Sequence, residues 1–170
     1  ELAVPSRLPV LLVGKTGTGK ERLARALHHF VGKNLPFCAL NCAAIQPALA
    51  EAELFGYRKG SFTGADQSYA GVLRNAGRGV LFLDEVAELP LAVQAKLLRA
   101  LDTGDIAPLG EANGAHFGAR IVSACHEPLS ESVAKGSFRD DLAARLGGVV
   151  IPLPELTLRR SDIPALFDTF

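Results

Sequence analysis

At 170 residues, 48% of them hydrophobic and 21% charged, the chain suits one globular domain with a sizeable core. Its Lys+Arg count of 18 equals its Asp+Glu count of 18, so the formal net charge is zero, and no basic run marks a nucleic-acid-binding face. No apolar run approaches the ~20 residues that span a bilayer.

There is no signal peptide and no initiating Met, so the chain reads as a cytoplasmic piece of something longer. If the natural protein binds DNA, another domain is expected to do it. The cysteines are Cys38, Cys42 and Cys125. Their odd number and the lack of CxxC spacing argue against a disulfide framework. Reduced structural thiols are the expectation, with a zinc site of Cys38, Cys42 and a histidine as the alternative.

Residues 9–13 (PVLLV) form an apolar run, followed by GKTGTGKE over 14–21 and the helical pattern ERLARALHHF. Strand, glycine-rich loop and helix is the context of a phosphate-binding loop. Gly14, Gly17 and Gly19 let the backbone turn tightly and, with Lys15, Thr16 and Thr18, point N–H groups inward. With the positive end of the following helix they make a site for phosphate oxygens. Lys20 would reach the β- and γ-phosphates as a point charge. Glu21 stands where the generic pattern carries a Mg2+-binding hydroxyl. The alternatives are a glycine-rich turn without a ligand and a dinucleotide fingerprint, whose third glycine would fall at Arg22.

Farther along, Leu23, Leu27 and Phe30 lie at helical spacing. Residues 37–41 (FCALN) read as a strand and 46–54 as a helix. Over 56–69 (GYRKGSFTGADQSY) turn formers break the pattern, and 71–76 resumes a helix. Residues 80–83 (VLFL) suit a central strand covered on both faces, ending in Asp84 and Glu85. Pro90 opens a helix with Val93, Leu97, Leu98 and Leu101 on one side. Turns and short extended pieces fill 104–118. Residues 121–125 (IVSAC) form another buried strand, 129–135 and 139–146 two helices, and 149–151 a last strand. Ser161 or Asp162 would cap a final helix with Pro164 in its first turn. The alternation predicts an α/β fold, a mostly parallel sheet with helices on both faces. Ligands then sit at the carboxyl ends of strands, where Gly14, Asn41, Asp84 and His126 fall.

Beside a phosphate loop, Asp84 can hold Mg2+ and Glu85 can orient and deprotonate a water attacking the γ-phosphate. The plain alternative is two solvated carboxylates. Asn41 can hydrogen-bond Glu85 or simply form a turn. Arg139 and Arg145 can reach a neighbouring subunit's nucleotide or lie solvated on a helix face. The loop of Gly60, Ser61, Phe62, Thr63, Gly64 and Ala65 puts an aromatic at an expected exposed tip, which suits a partner contact. The alternative folds Phe62 back into the core. Cys125 and His126 point to opposite faces and make no nucleophile–base pair. His28 and His29 read as boundary residues.

Together these residues resemble the central ATPase domain of the sigma-54-dependent transcription activators, a branch of the AAA+ P-loop NTPases. The resemblance covers nearly the whole chain. GKTGTGKE looks like the family's phosphate loop, in which Glu follows the Lys. NCAA at 41–44, ELFGYRKGSFTGA at 53–65, LFLDE at 81–85 and FRDDLAARL at 138–146 match family blocks, and ELFG…FTGA is specific to this branch. The resemblance implies a Mg2+-dependent ATPase core that ends here before the helical lid, and a ring, commonly a hexamer. It implies that Asn41 and Glu85 are a γ-phosphate switch pair and that Arg139 and Arg145 are arginine fingers acting in trans. It also implies that the 60–65 loop touches sigma-54 and remodels the closed RNA polymerase promoter complex. Three departures stand out. Ser61 replaces an Ala, and His126 replaces the Asn that helps position the nucleophilic water. Thr157 and Arg159 occupy the two arginine positions of Arg-Glu-Arg. The rival expectation is a nucleotide-binding regulatory module with weak hydrolysis or no sigma-54 dependence.

Overall fold

A computed structural model describes residues 8–110 and 114–164. In chain order it contains β1 (Val10–Val13), α1 (Lys20–Gly32), β2 (Phe37–Asn41), α2 (Ala50–Phe55), α3 (Val72–Asn75), β3 (Val80–Asp84), α4 (Leu91–Thr103), β4 (Asp105–Ile106), β5 (Ala115–His116), β6 (Arg120–Cys125), α5 (Leu129–Ala134), α6 (Asp140–Leu146) and β7 (Val149–Pro152). Five strands form one sheet in the order β2-β3-β6-β1-β7, with every neighbouring pair parallel. The short β4 and β5 pair antiparallel outside it.

The apolar runs explain the order. β1, β3 and β6 are apolar on both faces and occupy the middle, whereas β2 and β7 are only partly buried at the edges. Strand periodicity then splits the core in two. Val10, Leu12, Val80, Phe82, Val122 and Ala124 face α1 through Ala24 and Leu27. Leu11, Leu81, Leu83, Ile121 and Cys125 face the other way, onto Val93 and Leu97 of α4 and Leu142 and Leu146 of α6. The sheet is therefore covered on both faces, as the alternating pattern predicts. No described helix is long and apolar enough to cross a membrane.

Two expectations shift. The buried stripe of α1 runs Lys20, Ala24, Leu27, with Val31 packed against the core. Phe30 is about 100° off that stripe and is 68% exposed. The helix expected over 46–54 begins only at Ala50; Pro47 disfavours helical backbone at Gln46, and residues 46–49 form a turn in which Leu49 N–H donates to Gln46 O at 2.8 Å. The final helix expected after Ser161 falls mostly outside the described residues, within which Arg160–Asp162 is a 3-10 turn.

Candidate functional site

Where β1 ends, Gly14 N–H donates to the Cys125 carbonyl at 3.0 Å, so β6 anchors the start of the loop. A Cβ at Gly14 would come within 2.7 Å of the Leu153 carbonyl and 2.9 Å of Thr18 Oγ1. Only glycine fits there. Gly17 (φ 81°) and Gly19 (φ 89°) take the left-handed backbone that side chains avoid. Thr18 is buried, and its hydroxyl donates to Lys15 O at 2.8 Å, closing the turn. Lys20 opens α1, where the first N–H groups have no intrahelical acceptor. Its Nζ is held by Gly14 O at 2.7 Å and Lys15 O at 3.3 Å, and its side chain is 7% exposed. Glycine geometry, free helix-start donors and a fixed ammonium together fit a phosphate chain.

Two other residues of the loop, Lys15 and Glu21, are paired on its outer side. Lys15 pairs with Glu155 at 2.7 Å, and that carboxylate pushes the Lys15 pKa up. Glu21 is held on the solvent face by Arg25, one turn on, at 2.6 Å, so its backbone rather than its carboxylate belongs to the cradle.

β3 delivers Asp84 and Glu85 beside this cradle. Glu85 is the non-glycine residue with positive φ among the described residues (φ 52°), a conformation that costs about 1–3 kcal/mol and gathers at functional sites. Asp84 Oδ1 accepts from Glu85 N–H at 3.1 Å. Glu85 Oε1 lies 3.9 Å from Lys20 Nζ and 2.8 Å from His126 Nε2. The same Nε2 sits 3.4 Å from Thr16 Oγ1. His126 thus bridges the phosphate loop and the strand-end carboxylate. Among the described residues, no group of three or more His, Cys, Asp or Glu could hold a metal ion. Mg2+ asks for less, since it keeps its waters and uses one or two carboxylates with substrate phosphates. Asp84 fits that role. The zinc alternative has no support, and burial pushes the Cys42 thiol up to about 12 and the Cys125 thiol up to about 11.

Other expected residues lie apart from this cluster. Asn41 is level with Asp84 across the β2–β3 pair, but its side-chain oxygen accepts from Ala43 N–H at 3.0 Å. The Glu85 carboxylate faces His126 instead. Arg139 is bound to Asp141 through both carboxylate oxygens, at 2.9 and 2.6 Å, and holds that carboxyl below its usual pKa. Arg145 donates to Leu101 O at 2.8 Å and lies 3.2 Å from Asp102. Both arginines sit on the α4–α6 surface, away from the cradle of their own chain.

The 60–65 loop closes on itself. Gly60 N–H donates to Ala65 O at 2.9 Å and Ala65 N–H to Phe62 O at 3.1 Å. Ala65 is buried, while Phe62 is 38% exposed and rests edge-on against Tyr57 at 5.0 Å. Phe62 is therefore neither in the core nor free of the surface. Ser61 Oγ lies 2.7 Å from Arg58 O and 2.9 Å from Leu109 O, tying the loop to the segment before Gly110. An alanine has no hydroxyl to do this.

One contact had no local signal. Arg159 reaches back 141 positions to donate to Thr18 O at 2.7 Å. With Leu153 against Gly14 and Glu155 on Lys15, the segment after β7 braces the outside of the phosphate loop.

The profile of the family described as the Sigma-54 interaction domain matches residues 1–152. The chain belongs to that family. This sigma-54 interaction domain is 47% identical over 168 residues to UacR of Escherichia coli strain K12, whose name gives it as a sigma-54-dependent transcriptional regulator; the match covers 98% of this chain and 28% of that protein. It is 43% identical over 170 residues to the transcriptional regulatory protein ZraR of Salmonella typhimurium, covering 99% and 38% of the two chains. Among solved structures, NtrX of Brucella abortus in complex with ADP superposes with a TM-score of 0.88 at 36% identity, covering 99% of this chain and 36% of that one. The chain thus spans about a third of the length of these relatives. Its parallel sheet and phosphate loop are those of an AAA+ α/β core.

Proposed function

We propose that this sigma-54 interaction domain binds and hydrolyses ATP with Mg2+. In a ring of copies it uses the loop of Gly60, Ser61, Phe62, Thr63, Gly64 and Ala65 to contact sigma-54 and remodel the closed RNA polymerase promoter complex. The observation that carries the reading is the convergence of the buried Lys20 ammonium, the braced glycine loop and the Glu85 carboxylate at the carboxyl ends of the central strands. DNA binding is assigned to a part of the protein outside this chain.

Each residue has a defined task. Backbone N–H groups of Gly17, Gly19, Lys20 and Glu21 bind phosphate oxygens, and Lys20 adds its charge. Asp84 would hold Mg2+, and the ion would supply positive charge to offset that of the phosphate oxygens. Glu85 orients the attacking water and takes its proton. His126 hydrogen-bonds Glu85 and sets the direction of its carboxylate. Asn41, level with Asp84, is the second member of the γ-phosphate switch. Arg139 and Arg145, turned outward from their own cradle, stabilise charge on the nucleotide of the adjoining copy.

The 2.8 Å contact between His126 and Glu85 also favours a second reading, a regulatory module that hydrolyses slowly because its carboxylate is held. Two measurements on the whole natural protein separate the readings. Co-elution with sigma-54 in ADP and a metal-fluoride phosphate mimic, lost in Thr63→Ala, is expected on the first reading. Trapped nucleotide without sigma-54 binding, together with a large rise in turnover in His126→Asn, would favour the second.

A further inference from the structure

Gln94 of α4 is wholly buried, at 0% exposed, between the core residues Val93 and Leu97. A primary amide in such a place is costly unless its polar atoms are bonded. Its Nε2 donates to Leu89 O at 2.7 Å and to Ser137 O at 3.0 Å, and its Oε1 accepts from Arg139 N–H at 2.9 Å. All of these partners are backbone atoms. One lies at the start of α4, and the other two flank Phe138 just before α6.

That arrangement constrains one residue above all. Arg139 is the N-cap of α6, with extended backbone (φ −81°, ψ 132°), so no helical bond holds its N–H. Gln94 supplies the acceptor instead. Gripping the peptide groups on either side of the buried Phe138 fixes the direction in which the Arg139 side chain leaves the backbone. Asp141 then holds the far end of that side chain through both guanidinium bonds. The arginine is fastened at its base from inside the core and at its tip from the surface.

We infer that Gln94 is a positioning residue that aims Arg139 at the nucleotide of a neighbouring copy. The inference rests on the proposed role of Arg139 as a residue supplied in trans. A side chain fixed at the base projects its guanidinium several ångströms away, so a small rotation of the 137–139 backbone becomes a large displacement at the tip. Misplacement of a catalytic group by about 1 Å is enough to cost on the order of 100-fold in rate.

The test uses the whole natural protein with Gln94→Met, Arg139→Ala and Glu85→Gln, the last lacking the general base but keeping its outward arginines. Gln94→Met is expected to lower kcat about tenfold or more with KM for ATP changed less than about twofold, and to add nothing in the Arg139→Ala background. Mixed with an excess of Glu85→Gln subunits, Gln94→Met is expected to regain turnover, because its intact site now receives a well-aimed arginine from its neighbour. Arg139→Ala should regain turnover in the same way. Recovery of Arg139→Ala without recovery of Gln94→Met overturns the inference and leaves the trans role standing. Full turnover of Arg139→Ala on its own, or failure of both variants to recover, removes the trans role and the inference with it. Gln94→Asn, which keeps the amide but is one methylene too short to reach the Arg139 N–H, replaces Gln94→Met if the latter does not fold, as judged by its thermal melt.

Discussion

The phosphate cradle and the 60–65 loop are both glycine-rich turns, yet they are held by opposite means. The cradle springs from central strand β1 and is braced on several sides: by Cys125 of β6, by Leu153 and Arg159 from the distant segment after β7, and by its own Lys20. The 60–65 loop lies outside the sheet. Its neck is a bridge between Tyr57 and Tyr69, and its bonds are local except for the tie to Leu109. A site that must stabilise developing charge gains from a fixed backbone, because fixed dipoles need no reorganisation during reaction. A loop proposed to touch a partner gains from weak, local bonds that can be exchanged for contacts with that partner.

The contrast can be broken most decisively at the cradle. Glu85→Gln is expected to lower steady-state phosphate release by about 100-fold or more while nucleotide affinity persists, and Lys20→Ala to weaken nucleotide binding itself. A Glu85→Gln protein that still hydrolyses ATP at the wild-type rate would remove Glu85 from the chemistry.

A smaller effect separates the neck of the 60–65 loop from its tip. A Cβ at Gly56 would lie 2.3 Å from Tyr69 O, and one at Gly71 2.4 Å from Gly56 N, both backbone atoms, whereas Gly60 and Gly64 have nothing within 4 Å. Gly56→Ala and Gly71→Ala should each destabilise by about 3 kcal/mol, overpacking added to left-handed strain. Gly60→Ala and Gly64→Ala should cost about 1 kcal/mol from left-handed strain alone. Denaturant midpoints measure the gap, and equal midpoints would show that the neck relaxes.

Ser61→Ala sharpens the comparison further. Loss of the hydroxyl tie should cost about 1 kcal/mol or less and speed amide exchange at Arg58 and Ser61. Unchanged exchange would mean that the tie to Leu109 constrains nothing.

The mildest effect concerns the thiols under the cradle. Burial, reinforced by the nearby Glu85 carboxylate, raises Cys42 to about 12 and Cys125 to about 11. A raised thiol pKa favours the neutral folded form. Its contribution to stability is therefore whole below the ordinary 9.0 and is lost as pH rises toward those values. At pH 8 the half-buried Cys38 should react with a thiol reagent well before Cys42 or Cys125, and all three should react alike once the chain is unfolded. Early labelling of Cys42 or Cys125 would show that the β-strand ends open readily.

Much of this was legible in the residues. The strand over 37–41 and the apolar run before Asp84 appear where the pattern puts them, and for the second the reason is that continuous apolarity reflects burial on both faces. The glycines of the phosphate loop were legible for a similar reason, since a tight turn is a local demand on backbone angles. The start of α2 differs from the expectation because a turn over 46–49 precedes the helix. Phe30 was misjudged because residues one step apart on a helix face directions about 100° apart. The partner of Glu85 was open to neither kind of reading. Asn41 and His126 both end strands beside β3, and the rotamer and neighbours of Glu85 bring His126 to it.

By itself, the sequence determined which groups would stand at the carboxyl ends of the strands: a phosphate loop, paired carboxylates and a histidine. Those are set by short runs of residues acting on their own backbone. Only the tertiary structure decided who holds whom. Arg159 braces Thr18 from 141 positions away, and Gln94 grips Arg139 from 45 away. The physical reason is that a buried polar group must find its partner wherever packing brings one within hydrogen-bond reach, and strand order, rather than local periodicity, sets that reach.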